Sequence, residues 1–245
     1  MPPMRSPAEK LQAQYYSKTA QAYDAMHTGC KEDEHYQALA FIEMLCNALV
    51  LKTVLDVGAG TGRAVRFLLD HGREAQGIEP VAALIEEAEK TGIPHGRIVE
   101  GNGYHLPFED NSFDAVIECG ILHHVGEPSR VVDEMMRVAK YAVFLSDNNR
   151  FGQGGKLGRI VKLALHKLHL WKAVIFLQTK GKMYKVSEGD GIYYSYSVFE
   201  SFDQLHKWAD KIWLIPTGTA KADGSWLHPL LTSSHSLVCA IKDKR

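Results

Sequence analysis

The sequence predicts an α/β protein: a doubly wound, mostly parallel seven-stranded sheet with a helical insertion after the fifth strand. Three observations predict it. Strand-like and helix-like segments alternate between Thr53 and Ser146, the rhythm of a sheet covered by helices on both faces. Val54 to Arg63 reads as a strand, a glycine turn and the start of a helix. After about residue 148 the alternation gives way to an apolar, basic helical stretch, and it resumes beyond Tyr193.

The elements follow in order. Leu11, Tyr15, Tyr16, Ala20 and Tyr23 recur at helix-like spacings between Ala8 and Asp24, and a second apolar-periodic segment runs from His35 to Val50. The first strand is expected over Thr53 to Val57. Its helix, from Arg63 to His71, is closed by Gly72, which tolerates positive φ. A second strand, Glu74 to Ile78, leads through Glu79-Pro80 into a helix over Val81 to Lys90. Arg97 to Glu100 and Phe113 to Glu118 are the third and fourth strands, the latter introduced by the turn residues Glu109-Asp110-Asn111-Ser112. Pro128 opens a helix through Val138, and Tyr141 to Ser146 is the fifth strand. Gly154 to Thr179 reads as one long apolar and basic helical stretch, whole or broken. Val198 to Ala209 reads as helix, with Ile212 to Ile215 and Ser236 to Ile241 as the last strands.

Composition sets limits on function. A chain of 245 residues, 45% hydrophobic and 23% charged, can bury a sizeable core in one domain and is short for two. No run approaches the roughly 18 apolar residues of a membrane span, and no apolar run follows the opening Met-Pro-Pro-Met-Arg-Ser-Pro, so a cytoplasmic protein is expected. Cys30, Cys46, Cys119 and Cys239 lie far apart without zinc-ligand spacing; reduced thiols and no metal site are expected. The formal net charge of −1 conceals an asymmetry: nine Lys or Arg and no Asp or Glu lie between Arg150 and Lys185. This block is a candidate contact for something anionic, or else a solvated helix face.

The glycine turn carries the first chemical signal. Gly58, Gly60 and Gly62 occupy alternate positions between strand and helix, where missing Cβ atoms admit a ligand to the backbone and to the N–H groups of the first helical turn. A dinucleotide fingerprint requires Gly-x-Gly-x-x-Gly; here the third glycine comes one residue early and Arg63 stands in its place. Glu79 ends the second strand, where a carboxylate can accept from the vicinal hydroxyls of a ribose, although a strand-end Glu is often merely solvated. Asn102 and Gly103 follow the third strand, placed to meet an adenine edge or simply to form a turn.

These motifs resemble those of class I S-adenosylmethionine-dependent methyltransferases of the small-molecule type, and the core is similar to the quinone-biosynthesis methyltransferases. Val54 to Gly62 resembles the family's first motif and Gly77-Ile78-Glu79-Pro80 its second. Most distinctive is Glu100 to Asp114, which contains Leu106-Pro107-Phe108 and is followed by Ile121-Leu122-His123-His124-Val125. The resemblance covers roughly Thr53 to Ser146. It implies the Rossmann-like methyltransferase fold and S-adenosyl-L-methionine as cofactor. Length and the order of elements lead us to expect a single domain over 1–245, divided into N-terminal helices (1–50), cofactor-binding core (51–147), helical insertion or lid (148–195) and C-terminal helix with the last two strands (196–245).

By the same resemblance Asp56, Gly58 and Gly60 hold the methionine part, Glu79 the ribose, and Asn102 with Gly103 the adenine. Ala59 and Pro80 count among the cofactor-binding residues, backbone near Glu118 and Cys119 closes the site, and Tyr15 or Tyr16 closes over the cofactor. The family usually carries Asp at the position of Asn102, so one charge-assisted hydrogen bond becomes neutral. His123 and His124, leaving the fourth strand beside the pocket, are the first candidates for a base, with Glu118 behind them; packing and capping are the structural alternative for the His pair.

The fourth strand is followed by neither Asn/Asp-Pro-Pro-aromatic nor a Pro-Cys pair, so nucleic-acid bases are not the expected acceptor. A small molecule is expected instead, anionic and lipid-linked acceptors included. The acceptor site is expected from the insertion and from Thr217 to Ser234, with Tyr193, Tyr194, Tyr196 and Trp226 as candidate linings. Lys156, Arg159, Lys162, Lys167 and Lys172 stand among Leu157, Ile160, Val161, Ala164, Leu165, Leu168 and Trp171 like an amphipathic lid. Peripheral membrane contact through 150–185 is the other reading of this segment. Rival classes are a non-catalytic cofactor-binding or membrane-peripheral module and, less favoured by the glycine spacing, an NAD(P)-dependent oxidoreductase.

Overall fold

The computed structural model describes residues 6–22, 34–187, 189, 191–218 and 228–244; Tyr23, Asp24, Cys30 and Trp226 fall outside them. Helix α1 (Pro7–Thr19) starts from a capping box in which the Ser6 hydroxyl accepts from the Glu9 N–H and the Glu9 carboxylate accepts from the Ser6 N–H. Helix α2 (Glu34–Ala48) precedes β1 (Thr53–Val57). There follow α3 (Arg63–Asp70), β2 (Glu74–Glu79), α4 (Ala82–Lys90), β3 (Ile98–Glu100), β4 (Phe113–Cys119), α5 (Pro128–Val138) and β5 (Ala139–Asn148). The expected elements of this half are present with ends displaced by at most two residues, except that the first helix stops at Thr19 and continues as a 3-10 turn over Ala20–Ala22.

The sheet has seven strands in the order β3-β2-β1-β4-β5-β9-β8, where β8 is Lys211–Pro216 and β9 is His235–Ile241. The first five are parallel, and β9 runs antiparallel to both β5 and β8. Alternation along the strands divides the core. Val54, Ala142 and Phe144 face one side with Ala38, Leu39, Val65 and Leu68 of α2 and α3. Leu55, Val143 and Leu145 face the other with Val131, Val132 and Met135 of α5 and Leu205 of α8 (Phe202–Trp208). Both faces being covered, the ligand-accessible positions are the carboxyl ends of the parallel strands.

The insertion takes the broken form of the expected helical stretch and adds a hairpin. It holds α6 (Lys156–Lys167), α7 (Trp171–Gln178) and a hairpin of β6 (Tyr184–Ser187) and β7 (Gly191–Tyr194). The break after α6 is a Schellman-type end: the Leu170 N–H donates to the Leu165 carbonyl, the His169 N–H to the His166 carbonyl, and His169 takes φ 59°. That position normally belongs to glycine, so the sequence carries no stop signal. Val198 to Ala209 is likewise divided, into a 3-10 turn over Val198–Ser201 and α8. Among the described residues no helix is long and apolar enough to cross a membrane.

Gly58 shows how tightly the turn after β1 is specified. Its φ is +79°, and a Cβ there would lie 2.5 Å from Ile121 Cγ2. Gly58→Ala is expected to lower the unfolding free energy by about 2–4 kcal/mol, the strain of left-handed backbone plus overpacking. Urea denaturation measures this, and Ile121→Ala in the same chain should restore only the packing part.

Candidate functional site

A cavity of about 840 Å³ opens at the carboxyl ends of the parallel strands. Each strand delivers its last residues there: Asp56 and Val57 from β1, Glu79 from β2, Asn102 just beyond β3, Cys119 from β4 and Asn148 from β5. Gly58, Ala59, Gly60, Pro80 and Gly103 also line it, so the residues expected around the cofactor come together with one exception. Tyr15 is not a lining residue. Adjacent residues on a helix point about 100° apart, so Tyr16 faces the cavity while Tyr15 lies against Gly191 of the hairpin.

The floor of the cavity is a hydrogen-bonded carboxylate. Glu79 Oε2 accepts from the Gly60 N–H at 2.9 Å and Oε1 from the Val81 N–H at 2.9 Å. Gly58 and Ala59 donate to the Ile78 carbonyl at 2.8 and 3.0 Å. The glycine turn is therefore pinned to the end of β2. Asn102 spends its oxygen on the Tyr104 N–H at 3.0 Å, forming an Asx turn.

Asp56 is 2% exposed and lines the same cavity. Burial pushes its carboxyl up to about 7; the nearby Glu79 adds to this and Arg63 opposes it. A buried acid in this state gains from a cation brought to it.

The three candidate bases separate cleanly. His123 lines the cavity, and Asp147 at the end of β5 holds it twice: Nδ1 meets Oδ1 at 2.7 Å, and the His123 N–H donates to Oδ2 at 3.1 Å. Burial acts to raise the Asp147 carboxyl, but the charge and hydrogen bond of His123 outweigh it and hold the group below its usual range. His124 also reaches the cavity, yet both ring nitrogens are engaged. Nδ1 donates to the Ile192 carbonyl at 2.5 Å and Nε2 meets Tyr16 Oη at 3.2 Å, clamping β7 and α1 together. Glu118 is fully buried and outside the lining. Its Oε2 accepts from the Gly120 and Ile121 N–H groups at 3.1 Å each, and burial together with Asp147 pushes its carboxyl well up. It shapes the turn beneath the site and does not reach a ligand.

Asp147 is the functional residue that sequence reasoning missed. Its signal is legible in retrospect: Ser146-Asp147-Asn148-Asn149 is a polar run following the apolar Ala142 to Leu145 at the ligand edge of the sheet. Neither α6 nor α7 contributes to the lining, contrary to the lid expectation; from the insertion only Asn148, Gly189 and Tyr194 do. Tyr196 is buried with its hydroxyl 2.8 Å from Ser201 Oγ, and no described residue of the Thr217 to Ser234 loop reaches the cavity.

Strand order, glycine turn and strand-end acid are those of the class I S-adenosylmethionine-dependent methyltransferase fold. Comparison with known proteins agrees: residues 55–145 match the family described as Methyltransferase domain. The chain is 29% identical over 115 residues to an uncharacterized methyltransferase of Mycobacterium tuberculosis, a match covering 45% of this chain and 46% of that relative, so it spans under half of the relative's length. Among solved structures it resembles magnesium protoporphyrin IX methyltransferase from Synechocystis PCC 6803 with bound SAH (15% identity, TM-score 0.62, 96% of this chain and 99% of that one). It also resembles the Burkholderia thailandensis 1,6-didemethyltoxoflavin-N1-methyltransferase bound to its substrate and S-adenosylhomocysteine (15% identity, TM-score 0.57, 100% and 93%).

Asp56 generates a prediction of unusual sign. Its carboxyl titrates near 3.8 when unperturbed and near 7 in the fold. The native state therefore binds the extra proton in between, and stability falls as pH rises through that window. Asp56→Asn removes the slope. At about pH 8 the variant should be more stable than the parent by on the order of 4 kcal/mol, and near pH 4 the two should nearly coincide. Urea unfolding across that range decides, and parallel curves would refute the assignment.

Proposed function

We propose that the protein transfers a methyl group from S-adenosylmethionine to oxygen, nitrogen or carbon of a small molecule, with anionic and lipid-linked metabolites within the class. The observation that carries this is the convergence of Asp56, the glycine turn, Glu79 and Asn102 on one cavity. The residues suit the cofactor on their own chemistry. The close approach of Gly58 to Ile121 keeps the cradle free of Cβ atoms, and buried Asp56 favours an ammonium group. Asp56 with the backbone of Gly58 and Gly60 would hold the methionine part, Glu79 the ribose hydroxyls, and Asn102 with Gly103 the adenine. A volume of about 840 Å³ is near the upper end of the roughly 300–1,000 Å³ of small-molecule sites, which suits a cofactor and a small acceptor side by side.

S-adenosylmethionine supplies an activated sulfonium methyl, so the chain's own contribution is chiefly alignment, worth roughly 7–11 kcal/mol of barrier when the reacting atoms are held in line. Where the acceptor atom carries a proton, His123 is the group to remove it. Asp147 fixes the ring's orientation and stabilises its charged form, as a buried carboxylate does for a catalytic imidazole. His124, clamped between α1 and β7, is assigned to holding the hairpin beside the acceptor side of the cavity.

Titration calorimetry with S-adenosylmethionine and S-adenosylhomocysteine tests the reading. Both should bind the parent chain. Glu79→Ala should weaken binding roughly 10- to 100-fold, the loss of charge-assisted hydrogen bonds, while His123→Ala should bind S-adenosylhomocysteine as the parent does. A folded sample that binds neither compound would exclude the proposal.

A further inference from the structure

Helix α6 leaves a stripe of apolar side chains in the open. Leu157, Ile160, Val161, Ala164 and Leu168 follow the i, i+3, i+4, i+7, i+11 spacing of one helical face, and all five are exposed, Leu157 by 75% and Leu168 by 66%. None of the helix's residues is buried. The face turned to the body is mixed: Arg159, Lys162 and His166 lie on it with the half-buried Leu163 and Leu165. Arg159 donates to the Gly154 and Leu231 carbonyls at 2.7 and 2.9 Å. Lys162 Nζ donates to the Arg150 and Gln153 carbonyls at 2.6 and 2.8 Å, and His166 Nδ1 lies 2.9 Å from Arg150 Nη2. Helix α7 continues the pattern, with Phe176 and Leu177 exposed by 55% and 76%.

Charge says what covers this face. Three of the nine basic residues of the segment, Arg150, Arg159 and Lys162, point into the protein. The other six, Lys156, Lys167, Lys172, Lys180, Lys182 and Lys185, are exposed, and no acidic residue occurs from 150 to 187. A symmetric second copy would set these lysines against themselves. The cavity is not the occupant either, since neither helix lines it. Apolar side chains ringed by cations, with the opposite face anchored, suit insertion among acyl chains below anionic headgroups.

We propose that α6 and α7 form a docking face for an anionic lipid surface, on which the protein sits peripherally. Arg150 anchors this face to the catalytic half: it pairs with Glu200, donates to the Ser195 carbonyl at 2.5 Å and stacks its guanidinium over Trp171. It follows directly on the polar run that ends β5, whose Asn148 lines the cavity. Docking at α6 would thus fix the orientation of the site relative to the lipid. The inference rests on the exposed face alone and stands whether or not the acceptor is a lipid.

Co-sedimentation of the full chain with phosphatidylcholine vesicles, with and without phosphatidylglycerol, tests it. Binding is expected to the anionic vesicles and to be at least ~10-fold weaker to neutral ones. The Leu157→Glu/Ile160→Glu double variant should lose binding by a similar factor while its thermal melt and S-adenosylhomocysteine affinity stay at parent values. A Lys156→Gln/Lys167→Gln/Lys172→Gln variant, which leaves the apolar stripe intact, should bind anionic vesicles more weakly and show a shallower salt dependence. Absence of vesicle binding, equal binding to both vesicle types, or binding unchanged in the folded variants would overturn the proposal. So would light scattering that shows a concentration-dependent dimer broken by the Glu variant without vesicle binding.

Discussion

The carboxylate of Glu79 organises the site. It is buried, it ends β2, and its two oxygens hold the backbone N–H groups of Gly60 and Val81. Those two groups belong to different connections, the glycine turn after β1 and the entry to α4. One side chain therefore sets the separation of two of the walls that meet in the cavity. A buried carboxylate is made tolerable by such donors. Among the described residues Asp56 shows no comparable pair of backbone donors, and burial pushes its carboxyl up to about 7, with Glu79 adding to the shift. The site thus stores an electrostatic cost that a cationic ligand relieves, the general pattern of a binding pocket that trades stability for function.

Much of this was legible in the sequence because it depends on local chemistry. Gly58, Gly60 and Gly62 all adopt positive φ, and only glycine does so without penalty. Val54 and Leu55 face opposite cores as their alternation requires. The separation of His123, His124 and Glu118 into three roles was not legible. It is set by partners far along the chain: Asp147 for His123, Ile192 and Tyr16 for His124, and the Gly120–Ile121 turn with complete burial for Glu118. The end of α6 was hidden for another reason, since His169 occupies a left-handed position that the sequence marks with no glycine. Tyr15 and Tyr16 are equivalent in periodicity, and the position of α1 on the fold separates them.

The insertion carries the second lesson. Binary patterning identified α6 as amphipathic but could not say which face meets the protein, and the longer apolar stripe, Leu157 to Leu168, lies outward. Hydrogen bonds from Arg159 and Lys162 to backbone carbonyls decide the matter. With α6 facing outward, the cavity's upper wall is made by Tyr16, Tyr194 and Gly189, so α1 and the hairpin, joined through His124, take the place that a helical lid was expected to fill.

A crystal structure of the full chain with S-adenosylhomocysteine tests the central claim most directly. The account predicts the amino acid end against Asp56 and the glycine turn, the ribose hydroxyls on Glu79, and the adenine beside Asn102 and Gly103, with the sulfur directed toward His123. A ligand bound elsewhere, or one lying in this cavity with its ribose away from Glu79, would contradict it.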